Sequence, residues 1–118
     1  MRSDATPYTD FSVHVAPTDD GGTDVAVFGE LDLATVDKVE AALDRAIEAP
    51  GRVVIDLRAC GFIDSTGIGA LVKAAWRLHE QDRGLLIRGV KDRVLRILEI
   101  TGIARMDNIA IEPQGNSA

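Results

Sequence analysis

The residues of this chain whose types and spacing could do chemistry are concentrated in one short stretch, Asp64-Ser65-Thr66-Gly67. A carboxylate, two hydroxyls and a glycine stand between an apolar pair, Phe62-Ile63, and a patterned run: Ile68, Leu71, Val72, Ala75 and Leu78. Spacings of three and four make that run the stripe of a helix packed on a core. The polar residues therefore occupy the first turn, where backbone N–H groups lack intrahelical partners and the dipole is positive. A hydroxyl there is either part of a helix cap, with Asp64 or Ser65 as the N-cap, or a place to put negative charge. A cap alone contributes about 1 kcal/mol. Gly67 and Gly69 count against a cap as the whole explanation, because each glycine inside a helix costs roughly 1 kcal/mol relative to alanine. Two of them in the opening turns imply that another backbone or a bulky ligand approaches closely.

Several catalytic templates fail on these residues. A nucleophile elbow needs glycine two before and two after its serine, and Ile63 occupies the first of those places. The two histidines, His14 and His79, lie on a first strand and at the far end of the helix, which leaves no Ser/His/Asp arrangement. A P-loop needs Gly-Lys-Ser/Thr ahead of the helix; the order here is Ser-Thr-Gly without lysine. Gly67-Ile68-Gly69 supplies a weak G-x-G after a strand, but Val72 stands where a third glycine or alanine belongs. The strand Leu85 to Arg88 also ends without an acidic residue for a ribose. Asp32, Asp56 and Asp64 could converge at strand ends, yet no His or Cys spacing supports a metal site. No cofactor is implied.

The elements that must position this stretch are legible on both sides of it. Val53-Val54-Ile55-Asp56-Leu57 has the length and β-branched content of a buried strand, and Arg58-Ala59-Cys60-Gly61 reads as a connection. Upstream, Phe11, Val13 and Val15 alternate with Ser12, His14 and Ala16, a strand with one buried face. Pro17 to Gly22 is a turn signal and Thr23 to Phe28 resumes the extended pattern, so the two strands form a hairpin. Val36, Val39, Leu43, Ala46 and Ile47 recur at helical spacing opposite Asp37, Lys38, Glu40, Asp44 and Arg45. That helix is capped by Asp32 or Thr35 and stopped by Pro50-Gly51. The helix after the polar stretch ends near Gln81-Asp82-Arg83, with Gly84 as its left-handed stop. Leu85 to Ile87 form a strand. Lys91 to Ile100 form a third helix, with Val94, Leu95 and Leu98 inward and Gly102 as C-cap. Ile109-Ala110-Ile111 is a last short strand. The order β-β-α-β-α-β-α-β predicts an α/β fold with three main helices and a mixed sheet of about five strands, a hairpin followed by parallel crossovers.

The chain has 118 residues, one domain by size. Hydrophobic residues make up 46% and charged residues 27%, ordinary for a globular protein, and aromatics only 4%, so the core is expected to be aliphatic. A net charge of −6 argues against nucleic-acid binding, which needs a basic face, and suits a basic partner. The single cysteine, Cys60, excludes a disulfide within the chain and reads as a small buried apolar group. No window approaches the roughly 18 apolar residues of a membrane span, and MRSDATPYTD has no apolar signal-peptide core. A cytoplasmic location with no membrane contact follows. Residues 1–10 are expected to be a flexible N-terminus, 11–111 the folded domain and 112–118 a tail.

The run from Phe62 to Leu71, FIDSTGIGAL, resembles the signature of STAS-domain anti-sigma-factor antagonists. Two further stretches match in order: Phe28 to Thr35, FGELDLAT, and Val94 to Ile103, VLRILEITGI. Together the resemblance covers residues 11 to about 111, and three motifs in the correct order are specific. It implies a STAS-like single domain and a non-enzymatic switch. Ser65 would be the phosphoacceptor of an anti-sigma factor that is also a serine kinase, with Thr66 the second choice. The unphosphorylated chain would bind that kinase and free the sigma factor; the phosphorylated chain would not bind, and a metal-dependent phosphatase would restore it. The partner surface would comprise Asp32, Asp64, Ser65, Thr66, Gly67, Ile68 and Gly69, on a monomer or weak dimer. Family members carry a final helix for which Glu112 to Ala118 is too short, which leaves one side of the last strand less covered. Two other readings are a STAS interaction module in a different signalling assembly and a small nucleotide-binding enzyme built on Gly67-Ile68-Gly69.

Overall fold

The structure is a computed structural model that describes residues 11–115; the expected flexible N-terminus lies outside the described residues. The alternating pattern near the start forms β1 (Ser12–Pro17), antiparallel to the first half of β2 (Thr23–Leu31). Gly21, at φ 87°, turns the hairpin. Then follow α1 (Val36–Glu48), β3 (Val53–Asp56), β4 (Cys60–Ile63), α2 (Ser65–His79), β5 (Leu85–Val90), α3 (Asp92–Thr101), a 3-10 turn at Ile103–Arg105, and β6 (Ile109–Pro113). Strand order is β1-β2-β3-β5-β6, with every pairing after the hairpin parallel. The α/β class, the mixed sheet and the three helices are as the sequence predicts.

The sheet has six strands rather than five. Cys60–Ile63, which the sequence pattern presents as a connection and an apolar pair, is a strand in its own right, paired with the far end of β2. The nine-residue β2 serves two partners in succession: Thr23 to Ala26 pair with β3, and Gly29 to Leu31 pair with β4. Gly29, at φ 112°, sits where the register shifts, a backbone conformation that side chains disfavour. Four residues with a glycine inside carry too little period to be recognised. The last strand also runs past its expected end at Ile111, through Glu112 to Pro113.

The core is aliphatic: among the described residues no aromatic side chain is buried. It lies between the sheet and the helices, built from Val25, Val27, Leu31, Ile55 and Ile87 on strands against Val39, Leu43, Leu71, Ala75, Leu78, Val94 and Leu98 on helices. Two ion pairs cross from α2 to α1, Lys73 to Glu40 at 3.4 Å and Arg77 to Asp44.

The end of α2 corrects a second expectation. The left-handed residue is Asp82, at φ 57°, and not Gly84. Arg83 N–H donates to Leu78 C=O and Asp82 N–H to His79 C=O, a Schellman closure with aspartate in the usual glycine position. Gly84 is required for a different reason: a Cβ there would lie 2.9 Å from the Asn108 carbonyl oxygen. Gly102, at φ 79°, closes α3 as expected.

Candidate functional site at the start of α2

β4 delivers the chain to Asp64, whose N–H donates to Leu31 C=O on the neighbouring strand end at 3.1 Å. Asp64 is the N-cap of α2, with extended backbone. One of its carboxylate oxygens, Oδ1, accepts from Thr66 N–H (2.9 Å), Gly67 N–H (3.1 Å) and the Thr66 hydroxyl (2.6 Å). The other, Oδ2, accepts from Leu33 N–H in the turn between β2 and α1 at 3.3 Å. The Thr66 hydroxyl, with the Gly67, Thr66 and Leu33 amides, holds the Asp64 carboxyl below its ordinary value against the opposing effect of burial. Of the two caps that the sequence allows, the carboxylate takes the role.

This assignment separates the two hydroxyls. Thr66 is half-buried and its proton is committed to Asp64. Ser65 is exposed at the first helical position, and among the described residues no hydrogen bond holds its hydroxyl. The two glycines separate as well. A Cβ on Gly67 would lie 2.7 Å from both Ile63 Cγ1 and Leu31 Cγ, so this glycine lets the first turn of α2 seat against β2 and β4. A Cβ on Gly69 would meet nothing within 4 Å. Of the two close approaches that the glycines allow, another backbone or a bulky ligand, Gly67 meets the first: a Cβ there would also lie 3.0 Å from the Leu31 carbonyl oxygen, and it is the protein's own strands that require this glycine. Ile68 is half-buried against the core.

Asp32 and Asp64 come to the same turn, the one between β2 and α1, where each accepts from a backbone amide. Asp32 Oδ1 accepts from Ala34 N–H at 3.0 Å, and Thr35 Oγ1 accepts from Asp32 N–H while donating to Glu30 C=O at 2.7 Å. Thr35 stands at the N-cap of α1 without a side-chain bond to that helix. The turn so braced projects Leu33, which is 74% exposed. Sequence pattern does not reveal this exposure, since apolar residues before a helix ordinarily face inward; it is the long-range bond from the Leu33 N–H to Asp64 that fixes the turn. Asp56 belongs elsewhere: it accepts from Arg58 N–H and lies 3.7 Å from Arg88, which also pairs with Asp24 at 3.2 Å. Burial raises Asp24 above the usual carboxylate range despite Arg88. Among the described residues no cluster of three or more His, Cys, Asp or Glu is arranged to hold a metal ion.

The arrangement bears on anion chemistry. A phosphate bound in a G-x-G cradle uses the free amides of a helix start. Here the Thr66 and Gly67 amides already serve a carboxylate of the chain itself, and that carboxylate repels a second anion. His14 and His79 take no part in the site: His14 lies against the Phe28 ring edge and His79 against Trp76. Cys60 is buried, with Sγ 3.3 Å from Phe62 C=O, and burial pushes its thiol up.

A sheet with a hairpin edge and parallel crossovers, presenting an uncommitted serine beside a self-capped helix start, defines a small α/β domain. The sequence model of the STAS domain matches residues 14–114, and the chain belongs to that family. It is 35% identical over 111 residues to the anti-sigma-B factor antagonist of Listeria monocytogenes, covering 91% of this chain and 97% of that protein. It is 38% identical over 87 residues to the anti-sigma-B factor antagonist of Staphylococcus aureus, covering 73% and 81%. The crystal structure of an anti-sigma factor antagonist from Mycobacterium paratuberculosis superposes with a TM-score of 0.72 at 27% identity, covering 86% of each chain. Among the described residues no helix is long and apolar enough to cross a membrane.

Proposed function

We propose that this chain is an anti-sigma-factor antagonist whose binding to an anti-sigma serine kinase is switched off by phosphorylation of Ser65. The observation that carries the reading is the division of labour at the start of α2: Asp64 satisfies the helix end, so Ser65 stands exposed with a free hydroxyl. Thr66 is the poorer acceptor because its proton is engaged with Asp64 at 2.6 Å. The names of the relatives from Listeria and Staphylococcus support the class of function. Asp32, Asp64, Ser65, Thr66, Ile68 and Gly69 form the surface offered to the kinase, and Gly67 supports it from below.

Phosphorylation adds about −1.5 to −2 charges at pH 7. The dipole of the helix N-terminus favours that charge by about 0.3–1 kcal/mol while the neighbouring Asp64 carboxylate opposes it, and neither effect is large enough to unfold the domain. The added dianion stands beside the Asp64 carboxylate, and neither can be desolvated cheaply against a partner. A loss of about 2.8 kcal/mol at the interface weakens binding roughly a hundredfold, enough to exchange partners. A metal-dependent phosphatase resets the cycle, in the cytoplasm, on a monomer or weak dimer.

Intact mass after incubation with ATP and each candidate anti-sigma kinase of the source organism tests this. One phosphate on the wild type and on Thr66→Ala, absent from Ser65→Ala, is the expected result. Absence of phosphate and of binding with every such kinase returns Ser65 to a merely solvated position at a helix start.

A further inference from the structure

The face of α2 that carries Ser65 continues beyond it through exposed Gly69 and Trp76, with Val72, half-buried against the core, between them. At 100° per residue, Ser65, Gly69, Val72 and Trp76 fall within about 60° of one another, and they span about 16 Å along the helix axis. Three features set this stripe apart. Gly69 is not needed by the fold, since a Cβ there meets nothing within 4 Å, although alanine is the better helix former. Trp76, the chain's one tryptophan, is 57% exposed, with the His79 ring in a T-shaped arrangement beside it, centroids 6.0 Å apart. The cations on the flank are already neutralised, Lys73 by Glu40 and Arg77 by Asp44, both on α1. A helix face with an unneeded glycine in its middle and an exposed indole at its end is shaped for contact.

We propose that the stripe Ser65–Gly69–Val72–Trp76 is the surface by which the anti-sigma kinase grips this chain, with Gly69 its point of closest approach and Trp76 its aromatic anchor. The inference rests on the reading of Ser65 as the kinase's substrate, and it adds the residues that set affinity. Interface size supports the occupant. A specific interface covers about 800 Å² per partner, a disc roughly 32 Å across, so a surface centred near Ser65 reaches Trp76. Tryptophan is among the side chains most enriched at the positions that dominate binding. The two ends of the stripe then have separate tasks: charge at Ser65 turns the contact off, and Trp76 holds it while it is on.

The test uses the full chain and the anti-sigma kinase that phosphorylates Ser65, with Kd from calorimetry and melting temperature from circular dichroism. Trp76→Ala is expected to weaken binding at least about tenfold with an unchanged melting temperature. Gly69→Ala is the sharper variant: it is expected to raise the melting temperature by about 3 °C and to weaken binding, a combination that a structural role cannot produce. Ile100→Ala, on α3 and 77% exposed, serves as control and leaves Kd unchanged. Binding within twofold of wild type for both stripe variants, with Ser65 still phosphorylated, overturns the stripe and spares the substrate reading. An equal loss in Ile100→Ala overturns it too. If the unmutated chain neither binds nor takes phosphate, the substrate reading fails and the stripe falls with it.

Discussion

Two helix ends in this molecule face the same physical problem and solve it with opposite chemistry. The start of α2 has amides without partners, and Asp64 receives the Thr66 and Gly67 N–H groups. The end of α1 has carbonyls without partners, and Arg83 reaches across from the loop after α2 to supply donors. Its guanidinium donates to Ile47 C=O (2.8 Å), Ala49 C=O (2.6 Å) and Gly51 C=O (2.8 Å). At the arginine end the fork is wholly engaged in the fold, and Gln81 accepts from it as well. At the aspartate end the carboxylate is just as fully engaged, yet its neighbour Ser65 is left with nothing to do. The difference lies in what is left over: at the arginine end no donor of the fork is spare, and at the start of α2 one exposed hydroxyl is, which is where the proposed switch lies.

The comparison can be broken or sharpened by substitution, and the arginine end should respond most. Arg83→Ala removes the donors to three carbonyls in and just beyond the end of α1, those of Ile47 and Ala49 part-buried, and is expected to cost about 2–3 kcal/mol in urea unfolding. Arg83→Lys should recover less than half, since a point charge cannot replace a fork. Full recovery would mean that charge, and not geometry, holds this end. Gly67→Ala comes next: a methyl 2.7 Å from two fully buried side chains, Leu31 and Ile63, overpacks the seat of α2. We expect about 1–2 kcal/mol of destabilisation after the gain in helix propensity is counted. A more stable Gly67→Ala protein would contradict the packing account.

Asp64→Ala should cost about 1 kcal/mol, the usual value of a cap, and it also frees the turn that carries Leu33. Because Asp64 is depressed in the folded state, its contribution is present above the unfolded carboxylate range and is lost as pH falls through the lower folded value. The stability difference between wild type and Asp64→Ala should therefore shrink on acidification; a gap that is constant with pH argues against a charged cap. Ser65→Ala gives the smallest effect, within about 0.5 kcal/mol, as for an exposed position without partners. A loss as large as that of Asp64→Ala would make Ser65 the cap and undo the contrast between the two ends.

Much of the fold is legible in residue pattern. The apolar periods of α1, α2 and α3 declare themselves, since helices of 10 to 15 residues repeat their pattern several times. The polar stretch at 64–67 is identifiable as a helix start because hydroxyl, carboxylate and glycine collect where amides are free. β4 is hidden because four residues contain too few repeats, and because its pairing partner, the far end of β2, is some thirty residues away: Gly29 with Cys60, Leu31 with Ile63. Asp82 as the left-handed residue is hidden behind Gly84, the more permissive neighbour, which is needed instead for the approach of Asn108.

Local period and local backbone chemistry thus specify the helices, most of the strands, their order, the aliphatic core and the polar helix start at 64–67, and all of these are written in the sequence. Which of the residues at that place are free is settled by the cap that forms and by the tertiary contacts around it. Asp64 is engaged because Leu33 and Thr66 come to it, Gly67 is engaged because Leu31 and Ile63 press on it, and Ser65 and Gly69 are left to solvent. Commitment of a polar group is a property of what folds against it, and for Asp64 and Gly67 an essential neighbour lies more than thirty residues away in the chain.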